Sequence, residues 1–202
     1  MLTLQPVEMK LIHTMAHALR HDPAKYGLEP DPEGWVSFDD LIIAIRFERN
    51  DWLDLTRCHV KRLLNAMESD RFEIDETKIR AVYGHSINLE KPPPIQNPPD
   101  VLFHGTSADN VGDIMVKGLL RMSRRFVHLS SDLGWVLQFV AGKERWVVFR
   151  VAAKVAREEG VAFRQANRHV WLAESVDPRF LQIDSSGSGR AAFQRECGQT
   201  SA

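Results

Sequence analysis

Nine residues divide this chain. Lys91-Pro92-Pro93-Pro94-Ile95-Gln96-Asn97-Pro98-Pro99 holds five prolines. Proline lacks a backbone N–H, fixes its own φ and pushes the preceding residue out of the helical region. Such a run cannot continue a helix or sit inside a sheet. It is predicted to be a stiff, extended linker over 91–99 that fixes one lobe against another. The flanking pieces differ in charge. Residues 1–99 carry 12 Lys/Arg against 16 Asp/Glu, a balance of −4; residues 100–202 carry 14 against 11, a balance of +3. The net −1 of the whole chain hides this split. A nucleic acid would therefore meet a local basic patch, not a uniformly basic surface.

The first piece, 1–90, reads as three helices and a hairpin. From Pro6 onward, Leu11, Ile12, Met15, Ala16 and Leu19 keep helical spacing. Asp22 stands before Pro23, so the helix should end near Arg20-His21, where cations suit its negative end. Read alone, the pair is more readily a helix terminus than a functional site. Ser37 is placed to cap a second helix through Leu41, Ile42, Ile45 and Phe47. Thr56 is placed to cap a third, whose buried stripe is Val60, Leu63, Leu64 and Met67. Its other face carries Arg57, Lys61 and Arg62, as a solvated face also would. Arg71–Ile74 and Lys78–Tyr83 alternate as strands around the turn Asp75-Glu76-Thr77. Arg80 should point away from the face of Ile79 and Ala81. Three helices and a hairpin make a winged-helix-like lobe, which suggests nucleic-acid binding only by analogy.

The second piece, 100–184, mixes short strands with few helices, an α+β pattern. Strands are expected at Val101–His104, Phe126–Leu129, Trp146–Val151, Val161–Arg164, His169–Ala173 and Phe180–Ile183. Helices are expected from Ser107 or Asp109 to Gly118, over Leu133–Ala141 and over Lys154–Glu159. From 185 to 202 the composition turns polar and Ser/Gly-rich, the signature of a disordered tail.

Several chemistries lack their signatures. There is no G-x-G-x-x-G, no P-loop spacing, no zinc spacing among Cys and His, and no G-x-S-x-G. No metal is expected. The two cysteines, Cys58 and Cys197, form no motif and fit a reducing, cytoplasmic setting. No apolar run approaches the roughly 18 residues of a membrane span, and Met1–Met9 lacks the build of a signal peptide. No heptad or apolar stripe suggests a dimer, so a monomer is expected. What remains is cations, histidines and hydroxyls. Arg20, Arg80 and Arg124 can grip phosphate through planar donor forks. His21 can exchange a proton near neutrality. Gly105 permits close backbone approach.

Five motifs in order give these residues a common meaning. They are Leu19-Arg20-His21-Asp22-Pro23 with Gly27-Leu28 and Gly34-Trp35-Val36; Arg71-Phe72-Glu73-Ile74 with Ile79-Arg80-Ala81 and Gly84-His85-Ser86; His104-Gly105-Thr106; Met122 to Ser130; and Val170-Trp171-Leu172. Together, over residues 10–183, the chain resembles the RNA 2′-phosphotransferase family (KptA, NAD⁺-dependent tRNA 2′-phosphotransferase). The resemblance implies a winged-helix-like N-terminal lobe and an ADP-ribosyltransferase-like C-terminal lobe that binds NAD⁺. It implies that an internal RNA 2′-phosphate, as at a tRNA splice junction, attacks the NAD⁺ ribose and expels nicotinamide. The RNA-2′-phospho-ADP-ribose intermediate then yields 2′-OH RNA and ADP-ribose 1″,2″-cyclic phosphate.

By the same resemblance, Arg20, His21, Arg80 and Arg124 are the catalytic set, with Arg125 one residue away as the alternative to Arg124. His104, Gly105, Thr106, His128 and Ser130 match the NAD⁺-binding strands. The chain departs from the family pattern at Phe126, at Tyr83 and over Ala141–Trp146. Two rival readings stand beside this one. They are an ADP-ribosyltransferase acting on nucleic-acid phosphate ends, and a non-catalytic winged-helix nucleic-acid-binding protein.

Overall fold

The computed structural model describes residues 5–48, 50–67, 71–141 and 143–184. The expected tail at 185–202 lies outside the described residues, as does Gly142. Two compact units divide the chain. One comprises Met1–Ile95, Arg121–Val127 and Gln165–Arg168; the other comprises Gln96–Leu120, His128–Arg164 and His169–Ala202. Two short segments from the second half of the chain thus belong with the first unit, and one of them carries Arg124 and Arg125.

In the first unit, α1 spans Pro6–Arg20. Pro6 opens it, and the Glu8 carboxylate accepts the Gln5 N–H at 2.7 Å. The His21 and Asp22 amides close it on the His17 carbonyl. Strand β1 (Val36–Ser37) leads into α2 (Phe38–Glu48), and Ser37 Oγ accepts the Asp40 N–H at 3.3 Å. Helix α3 (Arg57–Ala66) is capped by Thr56, whose side chain accepts from the His59 amide. Strands β2 (Phe72–Ile74) and β3 (Lys78–Ala81) form the expected antiparallel hairpin, with Glu73 opposite Arg80. β1 joins the other edge of β3, giving a three-stranded sheet in the order β1-β3-β2. Two residues are too few to show alternation, so β1 was not expected.

Met15, Ala18 and Leu19 of α1, Phe38, Leu41 and Ile45 of α2, Val60 of α3 and Ile79 of β3 form one buried core. Each residue of leucine size contributes ~1.5–3 kcal/mol by leaving water. Ile79 and Ala81 face this core while Arg80 turns outward, as the alternation requires.

The second unit is built on a six-stranded sheet. Its elements are β4 (Leu102–Ser107), α4 (Val111–Lys117), β5 (Leu119–Leu120), β6 (Val127–Ser130), α5 (Leu133–Val140), β7 (Trp146–Val151), α6 (Ala153–Glu158), β8 (Arg164–Gln165), β9 (Val170–Ala173), β10 (Ser175–Val176) and β11 (Leu181–Ile183). The strand order is β11-β7-β4-β6-β9-β8, with β5 and β10 paired separately. Every β4 residue pairs antiparallel with β7, from Leu102↔Val151 to Ser107↔Trp146. The architecture is mixed, with six α-helices among the described residues and antiparallel pairing wherever the register is given.

One expected strand is corrected. Only Arg164, of the Val161–Arg164 stretch, is in a strand. The Val161 amide instead bonds the Ala156 carbonyl at 2.9 Å and closes α6, with Gly160 at φ 99°. Phe163 is buried and its carbonyl accepts the Gln96 N–H at 2.9 Å. Among the described residues no helix is long and apolar enough to cross a membrane.

Gly118 makes the turn from α4 into β5. Its φ is 78°, and a Cβ there would stand 2.2 Å from the Val176 carbonyl oxygen. Gly118→Ala is expected to destabilise the protein by about 3 kcal/mol, because backbone cannot yield as a side chain can. Urea unfolding measures this; an unchanged midpoint would refute the packing described.

Candidate active site

Arg20 is the last residue of α1. Its guanidinium lies over two aromatic rings, 5.5 Å from the centroid of Phe72 and 5.3 Å from that of Tyr83. β2 supplies Phe72, and the segment leaving β3 supplies Tyr83. Gly84 follows with φ 90°, and a Cβ there would meet the Arg20 side chain at 3.3–3.5 Å. Glycine at this position thus serves both the turn and the packing of the guanidinium. Arg20 Nη2 donates to the Arg71 carbonyl at 3.4 Å. Its Nε is buried with no hydrogen-bond partner among the described residues. Burial lowers its pKa to about 10; Tyr83 works against that shift, and Arg71 and Arg124 add to it. Arg20 remains a cation at neutral pH, desolvated and electrostatically strong.

His21 follows and is exposed. Its Nδ1 lies 3.0 Å from Ser86 Oγ, and Ser86 Oγ lies 3.5 Å from the Arg20 carbonyl. With the serine hydroxyl turned to that carbonyl, Nδ1 donates and Nε2 is left as the acceptor. Burial and the charges of Arg20, His17 and Arg124 all lower its pKa. The Ser86 and Ile87 amides also bond the Arg20 carbonyl, at 2.9 and 3.4 Å. The end of α1 is therefore tied directly to the segment after β3.

His85 lies inside this tie. It is 8% exposed, and its Nε2 is buried with no hydrogen-bond partner among the described residues. Burial, then Arg20, His21, Arg125 and Arg80, lower its pKa to about 4. The imidazole is neutral at physiological pH. The sequence alone assigns His85 and Ser86 no role; the one signal it holds for them is the glycine before them, Gly84, which the structure puts at φ 90°.

The turn at Arg121–Arg124 is closed by the Arg124 amide on the Arg121 carbonyl at 3.0 Å, with Met122 in the left-handed region at φ 52°. Arg124 is exposed, and its charge acts on both Arg20 and His21. Arg125 is engaged differently. Its amide bonds the His85 carbonyl at 3.0 Å, and its guanidinium donates to the Leu89 carbonyl. Arg80 belongs to the same unit but is held among other groups. Its Nε and Nη2 donate to Glu73 Oε2 at 2.8 and 2.7 Å, its Nη1 donates to the Glu33 carbonyl at 3.3 Å, and Trp35 lies under it at 4.5 Å.

In the second unit, His104 and Thr106 lie on β4, and His128 and Ser130 on the neighbouring β6. His104 Nδ1 is 2.8 Å from the His128 carbonyl, so Nδ1 carries the proton. Both histidines are half-buried. Thr106 is buried and its Oγ1 accepts from Asn110 Nδ2 at 3.0 Å. Ser130 is fully buried; its Oγ accepts the Asp132 N–H at 3.0 Å and reaches the Asp132 carbonyl at 3.2 Å. Asp132 in turn caps α5 through the Trp135 amide. Ser130 and Thr106 thus shape the strand ends. At Gly105 a Cβ would fall 2.6 Å from Val140 and 2.7 Å from Val136. Helix α5 packing against β4 is what demands glycine there. Among the described residues no cluster of His, Cys, Asp and Glu has the arrangement of a metal site.

A family model described as RNA 2′-phosphotransferase, Tpt1 / KptA family, matches residues 7–175. A protein of Bacillus thuringiensis subsp. konkukian, described as a probable RNA 2′-phosphotransferase, is 38% identical over 175 residues, covering 85% of this chain and 93% of its own. One of Acetivibrio thermocellus with the same description is 38% identical over 178 residues, covering 87% and 96%. Another, of Streptomyces coelicolor, is 34% identical over 175 residues, covering 87% and 94%.

The lowered pKa of His85 makes the stability of the fold depend on pH. The unfolded imidazole, at an ordinary 6.5, binds a proton that the folded one refuses until about pH 4. The stabilisation is complete above pH 6.5 and is lost as pH falls toward 4. Between pH 7 and 4.5, wild type should lose about 2–3 kcal/mol that a His85→Gln variant does not lose. Urea unfolding at the two pH values measures the difference; equal pH slopes in both proteins would contradict the placement of His85.

Proposed function

Because this chain belongs to the RNA 2′-phosphotransferase family, we propose that it removes an internal 2′-phosphate from RNA of the tRNA splice-junction kind by passing it to NAD⁺. The products are 2′-OH RNA, nicotinamide and ADP-ribose 1″,2″-cyclic phosphate. The observation that supports this most is the gathering of Arg20, His21 and Arg124 in one unit, with Arg124 acting on both of the others. A phosphoryl centre in a metal-free site needs preorganised cations where charge develops. Arg20 is such a cation, desolvated and held against the rings of Phe72 and Tyr83. Arg124, whose charge acts on both Arg20 and His21, takes the catalytic place.

The first unit, with three helices and an antiparallel sheet, serves as a winged-helix-like RNA lobe. The second serves as an ADP-ribosyltransferase-like lobe. NAD⁺, when bound, supplies an electrophilic ribose carbon that accepts the phosphate. His104 and His128 hold it, while Gly105, Thr106 and Ser130 keep the two strands and α5 in place. Arg20, Arg80 and Arg124 bind the 2′-phosphate oxygens through charge-assisted hydrogen bonds. His21, its pKa lowered, is neutral at pH 7 and able to take the proton released as the second transfer begins.

A short RNA with one internal 2′-phosphate tests this. The phosphate should disappear only when NAD⁺ is present, with release of nicotinamide and a cyclic-phosphate ADP-ribose. Arg80→Ala should slow the reaction by about a hundredfold and accumulate ADP-ribosylated RNA. A wild type that stops at that adduct would be an ADP-ribosyltransferase on RNA phosphate. Release of no nicotinamide would leave only binding.

A further inference from the structure

We propose that Trp35 is a positioning residue for Arg80: its ring fixes the plane of the guanidinium, so that the donors left over by Glu73 and Glu33 are aimed before phosphate arrives. The proposal rests on the reading that Arg80 grips the 2′-phosphate.

The sheet register brings these groups together. β3 lies between β1 and β2. On the β2 side Glu73 stands directly across from Arg80. On the β1 side Val36 pairs with Ile79 and Ser37 with Lys78. One step further along that antiparallel register, Trp35 comes level with Arg80. Residues level across an antiparallel pair point to the same face of the sheet. The indole and the carboxylate therefore flank the arginine, and the guanidinium carbon lies 4.5 Å from the Trp35 ring centroid.

Trp35 is itself held by backbone. Its amide donates to Asp31 Oδ1 at 3.0 Å, and its carbonyl accepts the Asp31 amide at 2.9 Å. The Glu33 amide donates to the same carboxylate oxygen at 3.0 Å, and the Gly34 amide to the Asp31 carbonyl at 2.8 Å. The turn from Asp31 to Trp35 thus fixes where the indole stands.

The donors of Arg80 can be assigned one by one. A guanidinium has five N–H groups. Nε and one N–H of Nη2 go to Glu73 Oε2 at 2.8 and 2.7 Å, and one N–H of Nη1 goes to the Glu33 carbonyl at 3.3 Å. One N–H remains on each terminal nitrogen. Two donors on neighbouring nitrogens suit two oxygens of one phosphate. Trp35 covers the face of the group, where no donor lies, so it occupies nothing that phosphate needs. Two bonds to a single carboxylate oxygen would let the fork swing about that oxygen; a ring against the face stops the swing. An arginine without such support would lose its rotamer freedom on gripping phosphate. Here that freedom is lost on folding, and the site is preorganised.

The test is a double-mutant cycle. Wild type, Trp35→Leu, Arg80→Ala and the double variant are followed through a single turnover of an RNA with one internal 2′-phosphate at saturating NAD⁺. ADP-ribosylated RNA and 2′-OH RNA are both quantified. Trp35→Leu should slow phosphate removal about three- to tenfold and accumulate ADP-ribosylated RNA, as Arg80→Ala does. Trp35→Phe, which keeps an aromatic face, should recover most of the rate. In the Arg80→Ala background the leucine should add nothing, because the group it would misplace is gone. A wild-type rate in Trp35→Leu would overturn the proposal. So would an equal slowing by leucine in both backgrounds, the result if the ring only supports the fold or touches RNA directly. A slow Arg80→Ala with either of those results removes the positioning role alone. A wild-type rate in Arg80→Ala removes the reading of Arg80 and the role of Trp35 with it.

Discussion

The first unit depends on how one buried charge is held. A guanidinium taken out of water is costly unless its surroundings compensate. Arg20 receives that compensation from the rings of Phe72 and Tyr83 and from the Arg71 carbonyl. The need for two rings draws β2 and the segment after β3 onto the end of α1. The need for close approach makes Gly84 a glycine. The Arg20 carbonyl then takes the Ser86 and Ile87 amides, and Ser86 reaches His21. The cation that lowers the pKa of His21 also helps to hold His85 neutral at its core. A helix end, a hairpin and two imidazoles thus answer to one side chain.

The second unit follows a different logic. Its polar strand residues are mostly engaged in building the sheet. Ser130 shapes the turn that lets Asp132 cap α5, and α5 packs onto the bare Gly105. Residues of one motif therefore divide in purpose. Hydroxyls and glycine set the framework, while His104 and His128 retain accessible surface. A motif in sequence is a joint requirement of packing and chemistry.

This division explains what could be read from the chain itself. Helices α1, α2 and α3 were legible because each carries two or more turns of apolar spacing and a capping residue. β1, β5, β8 and β10 were not, because two residues contain no period. The direction of Arg80 followed from alternation, and its pairing with Glu73 was implicit in the register around Asp75-Glu76-Thr77. The choice between Arg124 and Arg125 was not legible. Adjacent arginines look alike in sequence, and only the fold commits one to Leu89. Arg20 and His21 were equally good helix-end charges until Phe72, Tyr83 and Ser86, distant in sequence, closed around them.

The measurement that bears most directly on this account is the activity of Arg20→Lys. Lysine keeps the charge but loses the planar fork that lies over two rings and that, in the proposed role, would grip the phosphate. The purified variant should unfold cooperatively and yet remove the RNA 2′-phosphate about a hundredfold more slowly with NAD⁺ present. Wild-type rates in Arg20→Lys would show that a simple positive charge suffices, and the central role given to the stacked guanidinium would be wrong.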